Sequence, residues 1–136
     1  MATGSVGSLG QAYHTNQVHY VSANIAYTDN GVAKTLGVIP AGAVAIRGGV
    51  SINTAFNAGS TNTLNIGTSA DDDGFATLIA LGTVGVVAAD EMPGTTNDQF
   101  SSSDITVTAT VVLTGTAAST GAGVVWIEYI IPPSAR

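Results

Sequence analysis

A chain of 136 residues with only three Lys and Arg against nine Asp and Glu, a net charge of -6, has too little positive charge to draw binding energy from phosphates, so nucleic acid is excluded as a partner. Charged residues make up 9% of the sequence and apolar ones 45%, whereas about a quarter of an ordinary globular chain is charged; Thr, Ser and Asn carry the surface instead, short side chains that suit strands and lose little entropy when a partner covers them. With no cysteine, disulfides, thiolate zinc sites and Cys nucleophiles are ruled out together.

The length fits one domain with a core of its own. Residues 1–17 mix Gly, Ser, Thr and Asn without periodicity, the composition of a flexible N-terminal arm, and 18–136 are expected to form a single domain. No basic-then-apolar leader opens the sequence and no run of about 18 apolar residues follows, so the expectation is a soluble, non-secreted chain that does not enter a membrane.

From Tyr20 the pattern acquires period two: Val21, Ala23, Ile25 and Tyr27 alternate with Ser22, Asn24 and Ala26, a half-buried strand. Asp29-Asn30-Gly31 then predicts a type I′ hairpin, with Val32 to Ile39 returning as its partner, and Pro40-Ala41-Gly42 predicts another turn. Val44, Ile46, Val50, Ile52 and Phe56 form the apolar face of a long strand, in which Gly48-Gly49 is the expected place for a bend. A loop at Ala58 to Asn62, a short strand around Leu64 and Ile66 and an acidic loop from Thr68 to Gly74 come next. The spacing of Phe75, Leu78, Ile79 and Leu81 predicts a helical turn or two. Thr83 to Ala89 reads as a strand and Asp90 to Ser103 as a long polar loop.

In the last third, Ile105, Val107, Ala109, Val111 and Leu113 alternate with Thr106, Thr108 and Thr110, a strand with a threonine outer face. After small residues from Gly115 to Gly123, the run from Val124 to Ile131 is apolar on both faces. Val125, Ile127, Tyr129 and Ile131 share one, and Val124, Trp126 and Ile130 the other, broken only by Glu128. Such a strand lies between two layers or at a subunit interface, which makes Val124, Trp126 and Ile130 the candidate oligomer interface. Pro132-Pro133 ends the sheet. About eight short strands with almost no helix and no internal repeat predict an all-β fold, a β-sandwich or jelly roll.

Little in the sequence points to catalysis. Ser69, Asp71 and Asp73 offer oxygens at alternate positions, as at the start of a calcium loop, but Ala80 stands where the bidentate Glu belongs. The expectation is therefore an acidic turn capping the next apolar segment, with Ser69, Asp71 and Asp73 kept as the only metal candidates. His14 and His19 are too few for a metal site and read as surface residues. No nucleophile elbow or phosphate loop is present, and Asp90, Glu91, Asp98, Asp104 and Glu128 read as solvated surface acids, so neither enzymatic activity nor a cofactor is expected. Trp126 and the tyrosines at 13, 20, 27 and 129 could stack on sugars, though core and interface packing suits Trp126 and Tyr129 better.

The stretch LNIGTSADDDGFATLIALGTVGVVAADE, Leu64 to Glu91, and the ending GAGVVWIEYIIP, Gly121 to Pro132, resemble small virion structural proteins encoded by many tailed bacteriophages. The resemblance covers most of the chain beyond the arm. It implies a β-sandwich on the virion, a capsid decoration or cement protein that assembles as a homotrimer on the capsid surface and contacts the major capsid protein. The alternative it leaves open is a host-attachment or carbohydrate-binding module of a phage fibre or tail.

Overall fold

The computed structural model describes residues 17–92 and 102–131. Among them, eight strands form: β1 (His19–Ala26), β2 (Ala33–Ile39), β3 (Val44–Thr54), β4 (Thr61–Gly67), β5 (Ala76–Ala80), β6 (Gly85–Ala88), β7 (Ile105–Thr114) and β8 (Ala122–Ile130). Sheet one runs β1-β8-β3-β6 and sheet two β2-β7-β4-β5, antiparallel throughout. The pairings nest: first with last, second with seventh, third with sixth, fourth with fifth. That is a long hairpin rolled up into two sheets, the jelly-roll order, so the fold expected from strand number and turn spacing is the one found.

The core lies between the sheets. All five alternate residues of β7, Ile105, Val107, Ala109, Val111 and Leu113, are buried in it, together with Val125 and Ile127 of β8, Val50 and Ile52 of β3, Leu64 and Ile66 of β4, and Phe56 and Phe75 from the connections. Each large aliphatic or aromatic side chain so buried contributes roughly 1.5–3 kcal/mol relative to exposure. The Pro40 turn forms as expected: Ala43 N donates to Pro40 O at 3.1 Å, and Gly42 supplies the positive φ of 83° that a type II turn requires.

Three local expectations are corrected. First, Asp29-Asn30-Gly31 is not a hairpin turn. Asn30 has φ -52°, outside type I′ geometry; Tyr27–Asp29 is a 3-10 turn, and the chain crosses from sheet one to sheet two. Asn30 spends its side chain on the partner sheet: Nδ2 donates to Leu113 O at 3.0 Å and Oδ1 accepts from Leu113 N at 2.8 Å. In effect Asn30 extends β2 along β7.

Second, Phe75 to Leu81 contains a strand and no helix. Phe75, Ile79 and Leu81 are buried, but Leu78 takes a positive φ of 52° inside an irregularity between Leu64 and Ile66, and its amide donates to Asn65 Oδ1 at 2.8 Å. That one reversal points Leu78 to solvent and leaves an apolar spacing that imitates a helix.

Third, the break in β3 precedes the glycine pair. Register shifts between Ala45 and Arg47, so Ala45 faces the core while Val44 lies opposite Ile130. The glycines answer a different need: a Cβ on Gly48 would strike Ile127 and the Trp126 carbonyl, and one on Gly49 would strike the Val87 carbonyl.

The proposed arm lies outside the described residues except for Gln17, which is exposed. His14, Tyr13, Asp98 and Pro132-Pro133 also lie outside them.

Candidate assembly interface

Strand β8 is central in its sheet, flanked by β1 and β3. Its inward residues Val125 and Ile127 are completely buried. The opposite set, Val124, Trp126, Glu128 and Ile130, looks outward and is half-buried, with no second layer of this chain over it among the described residues. Among the described residues, this set therefore lies on an outer face of the sandwich.

Three rows build that surface, each read off the strand register. Asn24, Val124, Ser51 and Val86 form the first; Ser22, Trp126, Gly49 and Ala88 the second; Tyr20, Glu128 and Arg47 the third. Gly49 is what lets Trp126 lie flat, since the indole Cη2 comes within 3.3 Å of where a Cβ on Gly49 would stand. Arg47 and Glu128 face each other across β3 and β8 as an ion pair, so the one acid on this strand is neutralised locally. At the end of β8, the rings of His19 and Tyr129 stack with centroids 5.4 Å apart.

The structure therefore brings the sequence-predicted residues Val124, Trp126 and Ile130 to one face. It adds others that alternation alone did not single out. Tyr20 is 68% exposed and Val86 70% exposed, and both extend the apolar rows toward the sheet edges. The available signal was the uncharged stretch Val84-Gly85-Val86-Val87-Ala88, whose four strand residues are all exposed.

The acidic loop closes on itself. Thr68 N donates to Asp71 O at 2.8 Å, Gly74 N to the same oxygen at 3.2 Å, and Asp71 N to Thr68 Oγ1 at 3.2 Å. The carboxylates of Asp71, Asp72 and Asp73 gather within 4.8 Å of one another, and Ser69 lies in the same loop. A hydrogen bond shared with Asp71, lost hydration and the negative charge of Asp71 raise the Asp73 carboxyl above its ordinary range. Because a strand follows, the loop caps no helix, contrary to expectation.

The other acids hold loops in place. Asp90 Oδ1 accepts from Thr77 N at 3.0 Å, Asp104 Oδ1 from Ala41 N at 2.9 Å, and Glu91 Oε1 from Thr77 Oγ1 at 3.5 Å. Among the described residues, no helix is long and apolar enough to cross a membrane.

No protein-family model matches the chain, and no curated protein does. Solved structures do. A chain of the cyanophage Pam1 capsid asymmetric unit aligns over 97% of this chain and 93% of its own length, with a TM-score of 0.63 and 19% identity. A chain of the acidic stable capsid of Helicobacter pylori bacteriophage KHP30 aligns over 85% and 88%, with a TM-score of 0.62 and 19% identity. One from the capsid of Ralstonia phage GP4 aligns over 88% and 86%, at 0.58 and 18%. This eight-strand sandwich thus has the fold of chains present in the capsid structures of three phages.

Proposed function

We propose that this chain is a structural, non-enzymatic component of a phage virion, placed on the capsid surface, where it decorates and stabilises the shell as a symmetric oligomer, a homotrimer in the simplest arrangement. The observation that carries the reading is the match to a chain of a capsid asymmetric unit, over 97% of this chain and 93% of that one. The charge-poor composition and the apolar outer rows of sheet one support it physically. Val124, Trp126 and Ile130 meet a neighbouring copy there, and the contact excludes water from a surface that the sandwich leaves half-covered.

The mechanism is mechanical. Each copy also touches the major capsid protein, and many weak contacts repeated over the shell add up to resistance against internal pressure through multivalency. The test is the copy number of this chain relative to the major capsid protein in purified virions, by quantitative mass spectrometry. A ratio near one, or a simple fraction of it, supports decoration of the whole shell. A handful of copies per particle moves the chain to a vertex, fibre or tail, and absence from the particle refutes a virion role.

A further inference from the structure

Four strands lie at sheet edges, and three of them are protected in ways that natural sandwiches use. β1 closes onto β2 across the sandwich, with Val21 against Gly37, where an added Cβ would stand 2.7 Å from Val21 Cγ1. β2 is broken between Thr35 and Gly37 and carries Lys34. β5 is broken at Leu78. Among the described residues, β6 is protected only by its shortness, four residues. It pairs with β3 in unbroken register, contains no charge and no proline, and exposes all four residues.

Its free hydrogen-bonding groups can be assigned. Ala89 N donates to Gly48 O at 2.8 Å, in the same register as the strand pairs Gly49 with Ala88 and Val50 with Val87. Antiparallel ladders alternate, so Val87 and Gly85 bond to β3, while Val86 and Ala88 turn their N–H and C=O groups to the open edge.

We propose that β6 pairs antiparallel with β6 of a second copy about a two-fold axis at Val86, joining sheet one of both copies into a single eight-stranded sheet. Three features select a second copy as the occupant. Val86 is an outward-bonding residue, so it can exchange both of its backbone bonds with Val86 of the other copy, and Gly85 then meets Val87. This register keeps outer face against outer face, so Val86 continues the apolar row of Val124 across the axis. The nearest acids on the chain, Asp90 and Glu91, lie beyond the strand's end, so the paired residues themselves carry no charge. Four residues make a short joint. It is a weak, reversible link, separate from the contact at Val124, Trp126 and Ile130, and it does not depend on the virion reading.

The test exploits the absence of cysteine. Directly opposed, hydrogen-bonded residues sit about 5.5 Å apart at Cα, within disulfide range. Under mild oxidation of the purified full chain, Val86→Cys should form a disulfide dimer at least about tenfold faster than Ser22→Cys on the far edge, because pairing raises the effective thiol concentration. Ala88→Cys alone, off the axis, should not dimerise. Val86→Pro removes an outward N–H that the fold does not use and should lower the sedimentation coefficient without changing the far-ultraviolet circular dichroism. Equal cross-linking rates at residues 86 and 22, or self-cross-linking of Ala88→Cys as fast as that of Val86→Cys, would overturn the two-fold. So would cross-linking of Val86→Cys to the major capsid protein alone.

Discussion

Asn30 offers a quantitative check on how the two sheets are joined. Its amide bonds both backbone groups of Leu113, at 2.8 and 3.0 Å, on a strand whose side chain there is buried. Replacing it with Ala removes both bonds and strands a donor and an acceptor, a loss of about 2–3 kcal/mol at roughly 1 kcal/mol per bond plus the cost of the orphaned groups. With an unfolding entropy of about 2.1 cal/mol/K per residue, that corresponds to a fall in Tm of roughly 7–10 °C. Asn30→Gly separates this account from a hairpin account, because a type I′ turn tolerates Gly there while the cross-sheet bonds do not. Asn30→Asp adds a pH signature: the carboxylate repels the Leu113 carbonyl, so its folded pKa rises above the unfolded value, and stability present in acid is lost as pH rises through the folded pKa. The assay is thermal melting of the three variants at neutral and acidic pH. Ala and Gly variants melting within about 1 °C of the parent would refute the reasoning.

Other outcomes follow from the same structure. Leu78→Asn should raise stability by roughly 0.5–1 kcal/mol, seen in denaturant titration, because Asn accepts a left-handed φ more readily and little burial is lost from a residue 60% exposed. Asp73 has a folded pKa raised above 3.8, so its favourable contribution is complete below that pH and disappears as pH climbs through the raised value; Asp73→Asn should melt higher than the parent at pH 7, and the gap should close in strong acid. Chelators should leave the Tm unchanged, and a drop would show that the acidic loop holds calcium. Asp placed at Val124 and Ile130 should dissociate the oligomer in sedimentation experiments, and a variant that stays assembled would refute that interface.

The strands were legible where one face alone is buried. In β7 the five alternating apolar positions all reach the core, because nothing interrupts the pleat between Ile105 and Leu113. The doubly apolar pattern of β8 likewise announced an apolar outer face, although its outward residues share that face with Tyr20 and Val86, which belong to strands whose patterns are weaker. Legibility failed where a single backbone reversal shifts the pattern. An irregularity at Ile46 turns Val44 away from the core and Ala45 toward it, and alternation counted straight through places both on the wrong side. Leu78 does the same in β5. At Asn30-Gly31 the local turn preference was outweighed by two hydrogen bonds to a residue 83 positions away, a term that no local window contains. Spacing grouped Ser69 with Asp71 and Asp73, and the compact loop also brings in the Asp72 carboxylate, which alternate spacing passes over.

The nested pairing has a consequence for the order of events during synthesis. The last strand made, β8, separates β1 from β3, and the strand before it, β7, separates β2 from β4. Of the pairs, β4 with β5 joins strands adjacent in the chain, so a nascent polypeptide can close that hairpin early and little else, since distant pairings come slowly. Neither sheet exists until the C-terminal third has left the ribosome. The face carrying Trp126 and Val124 is then the final part to form, and unfinished chains lack the surface proposed above to meet a neighbouring copy.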